Sequence, residues 1–259
     1  MELFDTHAHY NDEKFDEDRD EIIKSIHASG VTKFITAGYS LESSKKAIEI
    51  SKKYEYIYTI IGVSPNDIPE DEQTIKEQIK KLEKLYKNNE KVVAIGEIGL
   101  DYYWNKDNSK LQKVAFREQI NLANKLELPI VIHTREAVQD TLDILKKNNV
   151  NKKGIFHCCP LNRELVKEAL KLGFYISFAG PITFKNSKNA NEIIEMVPED
   201  RILIETDSPY LSPEPNRGKR NDSRNVRYMA QKIADVKRID IQEIAKITYE
   251  NAKNIFNIK

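Results

Sequence analysis

The chain has 259 residues, 40% hydrophobic and 32% charged, and its 41 basic and 41 acidic side chains leave no formal net charge. This composition excludes a disordered chain, and no apolar run approaches the roughly 20 residues that span a bilayer. Neutrality also excludes a global field of the kind that coats nucleic acid, so a polyanion would have to be met by a local patch.

Taken from the N-terminus, Met1-Glu2-Leu3-Phe4-Asp5 has neither the basic start nor the apolar stretch of a secretory leader, so a cytoplasmic location is expected. A first strand, Leu3–Thr6, runs into His7-Ala8-His9. An amphipathic helix follows at about 17–29, with Asp16 as its expected cap and Gly30 as its stop. His27 lies inside that helix and reads as a surface or packing histidine. Strand Lys33–Ala37, helix 41–53, strand Tyr56–Val63 and helix 71–88 come next. Strand Val92–Ile95 leads into Gly96-Glu97-Ile98-Gly99-Leu100-Asp101, followed by a helix at about 110–126. Strand Pro129–His133 and helix 136–148 precede strand Gly154–His157 and helix 162–171, the latter bracketed by Asn162 and Gly173. Strand Phe174–Phe178, helix 187–196, strand Ile202–Glu205, helix 222–236 and a last helix at about 240–255 complete the chain.

Short β-branched runs alternating with longer amphipathic stretches are the pattern of repeated βα units. Eight such strands, in a length close to the roughly 250 residues typical of the architecture, predict an α/β (β/α)8 barrel of the TIM type. No linker or low-complexity break divides residues 1–259, so a single domain with an extra C-terminal helix is expected. The only cysteines, Cys158 and Cys159, are adjacent, which disfavours a bond between them, and free thiols suit a reducing compartment.

The histidines carry the chemistry. Of five, His7, His9, His133 and His157 all fall at the C-terminal end of a candidate strand or just past it, and that end of a barrel is its catalytic face. Residues two apart in an extended chain point the same way, so His7 and His9 can reach one ion. An isolated pair of this kind is a weak signal, but here two further strands also end in histidine. Two cations a few Å apart need an anionic ligand between them, and a carboxylate can bridge with its two oxygens. Glu97, after the fourth strand, is the expected bridge. Asp207, after the eighth, is expected both to bind metal and to accept a proton from an attacking water. Taken alone, Asp207 would read as a turn former before Ser208-Pro209.

Together these residues resemble the TatD family of metal-dependent deoxyribonucleases. The similarity rests on DTHAHY (5–10), GEIGLDYYW (96–104), LPIVIHTREA (128–137), Phe156-His157, ETDSPYL (205–211), RGKRN (217–221) and TYENAKNIF (248–256), in the family's order. The resemblance implies two divalent cations, with His7, His9, Glu97 and Asp207 on one and Glu97, His133 and His157 on the other. Zn, Mg, Mn and Co all suit such ligands. Where the family often carries histidine after its third strand, this chain reads Gly62-Val63-Ser64-Pro65-Asn66-Asp67. Cys158-Cys159-Pro160-Leu161 likewise replaces the usual small polar stretch after His157.

The function implied is two-metal hydrolysis of DNA phosphodiesters, with single strands or ends as substrate and a monomer expected. Arg135, two residues past His133, can grip a phosphate with two parallel hydrogen bonds. Residues 217–227 place five basic residues against one acid, and Arg217, Lys219 and Arg220 are the expected backbone contacts. Tyr102, Tyr103 and Trp104 can stack on bases or pack beneath the loop. A D-aminoacyl-tRNA deacylase or a small-molecule amidohydrolase on the same metal site is the alternative. Against an amidohydrolase stand the glutamate at the bridge, where a carbamylated lysine would be expected, and the basic RGKR loop.

Overall fold

In the computed structural model, which describes residues 1–87 and 89–259, eight strands alternate with nine α-helices among the described residues. The strands are β1 (Leu3–Ala8), β2 (Val31–Ala37), β3 (Ile57–Ile61), β4 (Val92–Asp101), β5 (Ile130–Arg135), β6 (Gly154–Phe156), β7 (Tyr175–Phe178) and β8 (Ile202–Ile204). All pair in parallel, in the order β1 to β8. The ring closes through residues at and beyond the ends of β1 and β8: Ala8 bridges Ser208, the Asp207 N–H donates to the His7 carbonyl at 2.9 Å, and the His9 N–H donates to the Ser208 carbonyl at 2.6 Å. The (β/α)8 barrel expected from the sequence is the fold observed.

The helices are α1 (Arg19–Ala28), α2 (Leu41–Lys53), α3 (Glu72–Tyr86), α4 (Ser109–Leu126), α5 (Val138–Lys147), α6 (Arg163–Lys171), α7 (Ala190–Met196), α8 (Val226–Lys237) and α9 (Ile241–Phe256). Each buries one stripe: on α3, Ile75, Ile79 and Leu82 recur at helical spacing and are buried. Side-chain caps fix several starts, with Ser40, Asp71, Asn162 and Asp240 accepting from the first-turn N–H of Ser43, Thr74, Leu165 and Gln242.

Several boundaries differ from the sequence reading. Asp16 ends a one-turn 3-10 helix, Glu13–Phe15, and α1 starts only after Asp18. A second such turn, Ser223–Asn225, delays α8, and α7 begins at Ala190. The expected end of the third helix at residue 88 lies outside the described residues. The largest difference is β4, which continues to Asp101, so Glu97 sits within a strand and not after one. The glycines that read as a turn let this strand press against its neighbour. Gly99 has φ +141, and a Cβ there would lie 2.0 Å from the His133 carbonyl oxygen.

The buried apolar residues form two layers. One fills the space between sheet and helices. The other, including Phe4, Ile35, Ile60, Ala94, Val131, Ile155 and Leu203, fills the barrel and meets Ala252, Phe256 and Ile258 at its lower end. The extra helix α9 therefore acts as a plug. Its Asn251 also donates to the carbonyls of Glu199 and Ile202 beside β8, at 2.7 and 2.9 Å.

Candidate metal centre

Strand periodicity carries the inner layer upward into the site. Val131, Ile155 and Leu203 face the barrel interior, and two residues later on the same side come His133, His157 and Glu205. On β1 and β4 the parity is broken. The pairing register shifts between Asp5 and Ala8 and again between Ile95 and Ile98, and these irregularities bring His7, His9 and Glu97 to the inner face.

The six expected ligands converge. His7 Nε2 and His9 Nε2 lie 3.2 Å apart, 3.5 and 3.8 Å from Glu97 Oε2, and 3.7 and 3.2 Å from Asp207 Oδ1. His133 Nδ1 and His157 Nε2 also lie 3.2 Å apart, at 2.9 and 3.3 Å from the other oxygen, Glu97 Oε1. A tetrahedral cation with bonds of about 2.0–2.2 Å sets its ligand atoms about 3.3–3.6 Å apart, so this spacing suits a metal. The triads His7, His9, Asp207 and His7, Glu97, His157 each keep their ligand atoms within 4.8 Å of one another.

The second ring nitrogens show how the imidazoles are aimed. His9 Nδ1 is 3.0 Å from the Ala37 carbonyl, His133 Nε2 is 3.0 Å from Asp101 Oδ2, and His157 Nδ1 is 3.3 Å from Glu205 Oε1. A donor held this way leaves the opposite nitrogen free for a cation. Asp101 and Glu205 had no assigned role in the sequence reading, although both lie inside quoted motifs. For Glu205 a signal existed: it continues the inward parity of Leu203. Glu205 is fully buried and also accepts from the Cys158 N–H at 2.7 Å. That bond fits a Cys158 backbone held at φ 37. Among the described residues three buried side-chain polar atoms lack a partner, and two, His7 Nδ1 and Glu205 Oε2, belong to this cluster.

Electrostatics without a cation follow from the crowding. Burial pushes the Glu97 carboxyl up, but His157, His133 and His7 outweigh it and hold it well below the usual carboxylate range. Burial pushes His157 down, yet Glu97 and Glu205 raise it well above an ordinary histidine. His9 and His133 are likewise raised against burial, by Asp207 and by Asp101 with Glu97. His7 is lowered, by burial first and then by the neighbouring His157, against the pull of Glu97. Protons on histidine therefore balance the buried carboxylates where a metal's charge would otherwise do so.

Beneath the cluster, burial pushes Asp5 up to about 7 while it accepts from Ser223 and Thr206. Its bonds to the Thr206 N–H at 2.9 Å and the Ser223 hydroxyl at 2.5 Å tie the loop after β8 to β1.

The cluster opens into a cleft of about 700 Å³ whose wall includes Trp104, Arg135, Asp67, Tyr210 and Leu211. The other expected substrate contacts lie elsewhere. Tyr102 is half-buried and its hydroxyl donates to Asp140 at 2.7 Å, so it packs beside α5 and not over the metals. Arg217 stacks on Phe184, with its guanidinium carbon 4.2 Å from the ring centre. Arg220 is clamped by Asp18, at 2.9 and 2.5 Å, and by the Lys14 carbonyl at 2.7 Å. Lys219 and Arg220 line a separate surface depression with Glu13, Lys14 and Glu17. His27 stacks on Tyr56 at 3.8 Å, a packing histidine. No helix among the described residues is long and apolar enough to cross a membrane.

A model of the TatD related DNase family matches residues 4–257. The chain belongs to the TatD family. It is 44% identical over 257 residues to YabD of Bacillus subtilis, an uncharacterized metal-dependent hydrolase, across 99% of each chain. Solved TatD structures share its fold. YjjV, a TatD homologue from Escherichia coli K12, superposes with a TM-score of 0.92 at 24% identity, over 99% of this chain and 98% of that one. A TatD family hydrolase from Entamoeba histolytica gives a TM-score of 0.86 at 25% identity, over 100% and 99%. The site thus belongs to a TatD-family metal-dependent hydrolase.

Proposed function

We propose that this TatD protein hydrolyses phosphodiester bonds of DNA, acting on single strands or strand ends with a pair of divalent cations. The observation that carries this reading is the division of Glu97: one carboxylate oxygen faces His7 and His9, the other faces His133 and His157. A carboxylate placed so can serve two cations a few Å apart, the arrangement suited to in-line displacement at phosphorus. When bound, such cations lower the pKa of an attacking water and neutralise charge on the phosphoryl and leaving oxygens.

The side chains have separate tasks in this reading. Asp207 accepts the proton of the attacking water; its carboxyl is pushed up by burial but held below the usual range by His9, His157 and His7. Glu97, His7, His9, His133, His157 and Asp207 would hold the cations. Arg135, on the cleft wall, orients the phosphate. The protein works as a cytoplasmic monomer in this view.

The test incubates metal-free protein with labelled single- and double-stranded DNA, RNA and charged tRNA, adding Mg, Mn, Zn or Co in turn. Metal-restored cleavage of DNA supports the reading. Restored release of the aminoacyl group with no cleavage of either DNA would replace it with a deacylase.

A further inference from the structure

Trp104 is the only tryptophan of the chain and its most exposed large apolar side chain, at 68%, with Tyr103 next at 51%. Both belong to one rigid turn. Asp101 Oδ1 accepts the N–H groups of Tyr103 and Trp104 at 3.0 and 3.1 Å, while its other oxygen holds His133 Nε2 at 3.0 Å. One buried carboxylate therefore fixes a metal ligand on one side and two exposed aromatic rings on the other. The Arg135 guanidinium carbon lies 3.7 Å from the Tyr103 ring centre and 5.5 Å from that of Trp104. Among the described residues Arg135 forms no ion pair with a carboxylate, and it lines the metal cleft together with Trp104.

Two exposed aromatic rings beside a guanidinium that no carboxylate pairs offer stacking faces and a positive charge together at the mouth of the cleft. Flat, apolar and anionic groups side by side are what an unpaired nucleotide offers: a base for the ring and a phosphate for the guanidinium. A protein partner would not need its anion within reach of the metal ligands. We propose that Trp104, Tyr103 and Arg135 form a nucleotide subsite that stacks one unpaired base next to the phosphate held over the metal cluster. The inference rests on the phosphodiesterase reading above. Base-paired duplex cannot use the subsite, because its bases are already stacked.

The test uses the full chain loaded with metal and a hydrolysis-resistant phosphorothioate oligothymidylate, with Trp104 fluorescence as the direct reporter. Binding should quench the emission, whereas a strand of the same length made of abasic sugar-phosphate should bind with little quenching. Trp104→Leu, which removes that reporter, should bind an end-labelled oligothymidylate about 10- to 100-fold more weakly by fluorescence anisotropy, with wild-type metal content showing that the site still assembles. Arg135→Gln should weaken both strands. Equal quenching by both strands, or wild-type affinity in Trp104→Leu, would overturn the subsite. Failure of the underlying reading looks different: the wild-type protein with metal would cleave neither DNA nor bis(p-nitrophenyl) phosphate, while the quenching comparison would still decide whether a base is held.

Discussion

Glu205 faces the Nδ1 of His157 at 3.3 Å, and the same oxygen takes the Cys158 N–H at 2.7 Å. A fully buried carboxylate behind an imidazole fixes its tautomer and would make the opposite nitrogen a better donor to a cation. Glu205→Ala should lower metal affinity by about 10- to 100-fold, with Glu205→Gln less severe because the amide still accepts. Chelator competition on the purified variants reads this, and unchanged affinity in Glu205→Ala would show that His157 is oriented by packing alone.

Glu97 and Asp207 should fail in different ways. Glu97 touches both histidine pairs, so Glu97→Ala should lose activity together with metal content. Asp207 contributes one oxygen to the His7 and His9 side, so Asp207→Asn should keep most of the metal and lose rate, about 100-fold or more. Metal analysis and turnover on the same samples separate the two. Two metals and normal turnover in Glu97→Ala would remove it from the bridge.

Metal uptake should release protons. His157, His9 and His133 are raised above ordinary histidine in the metal-free protein by the carboxylates around them, so they remain protonated to higher pH. Only neutral imidazole binds a cation, so affinity should rise with pH through those raised pKa values and fall on acidification. Calorimetry of metal binding in two buffers of different ionisation enthalpy counts the protons. Identical heats in both buffers would mean that the site is already unprotonated.

Within the basic loop, Arg220 and Lys219 should part company. Arg220 is held by Asp18 and the Lys14 carbonyl, so Arg220→Ala should cost about 1 kcal/mol of stability, the modest value usual for a half-exposed pair. Lys219 forms no ion pair within the described residues, and Lys219→Ala should leave stability alone and flatten the salt dependence of DNA binding. Urea midpoints and binding titrations at several salt concentrations give both numbers. A large loss of stability in Lys219→Ala would reverse the assignment.

The barrel, and the meeting of six side chains of ligand type at its mouth, were legible in the chain alone. Both rest on short-period information: β-branched runs separated by amphipathic ones, and polar residues placed where strands end. His133 and His157 were legible because strand parity is a local property, carried upward from Val131 and Ile155. Tertiary structure alone decided the rest. Glu97 faces inward only because β4 slips register between Ile95 and Ile98, pressed against β5 where Gly99 leaves no room for a side chain. Asp101 reaches His133 from the adjoining strand and Glu205 reaches His157 from two strands away, over 32 and 48 positions of sequence, and no local pattern encodes such a pairing. The three aromatics after Asp101 look alike in sequence. Folding turns Tyr102 to Asp140, stacks Tyr103 under Arg135 and leaves Trp104 open at the cleft, because which ring finds a partner depends on α5 and β5 beside them.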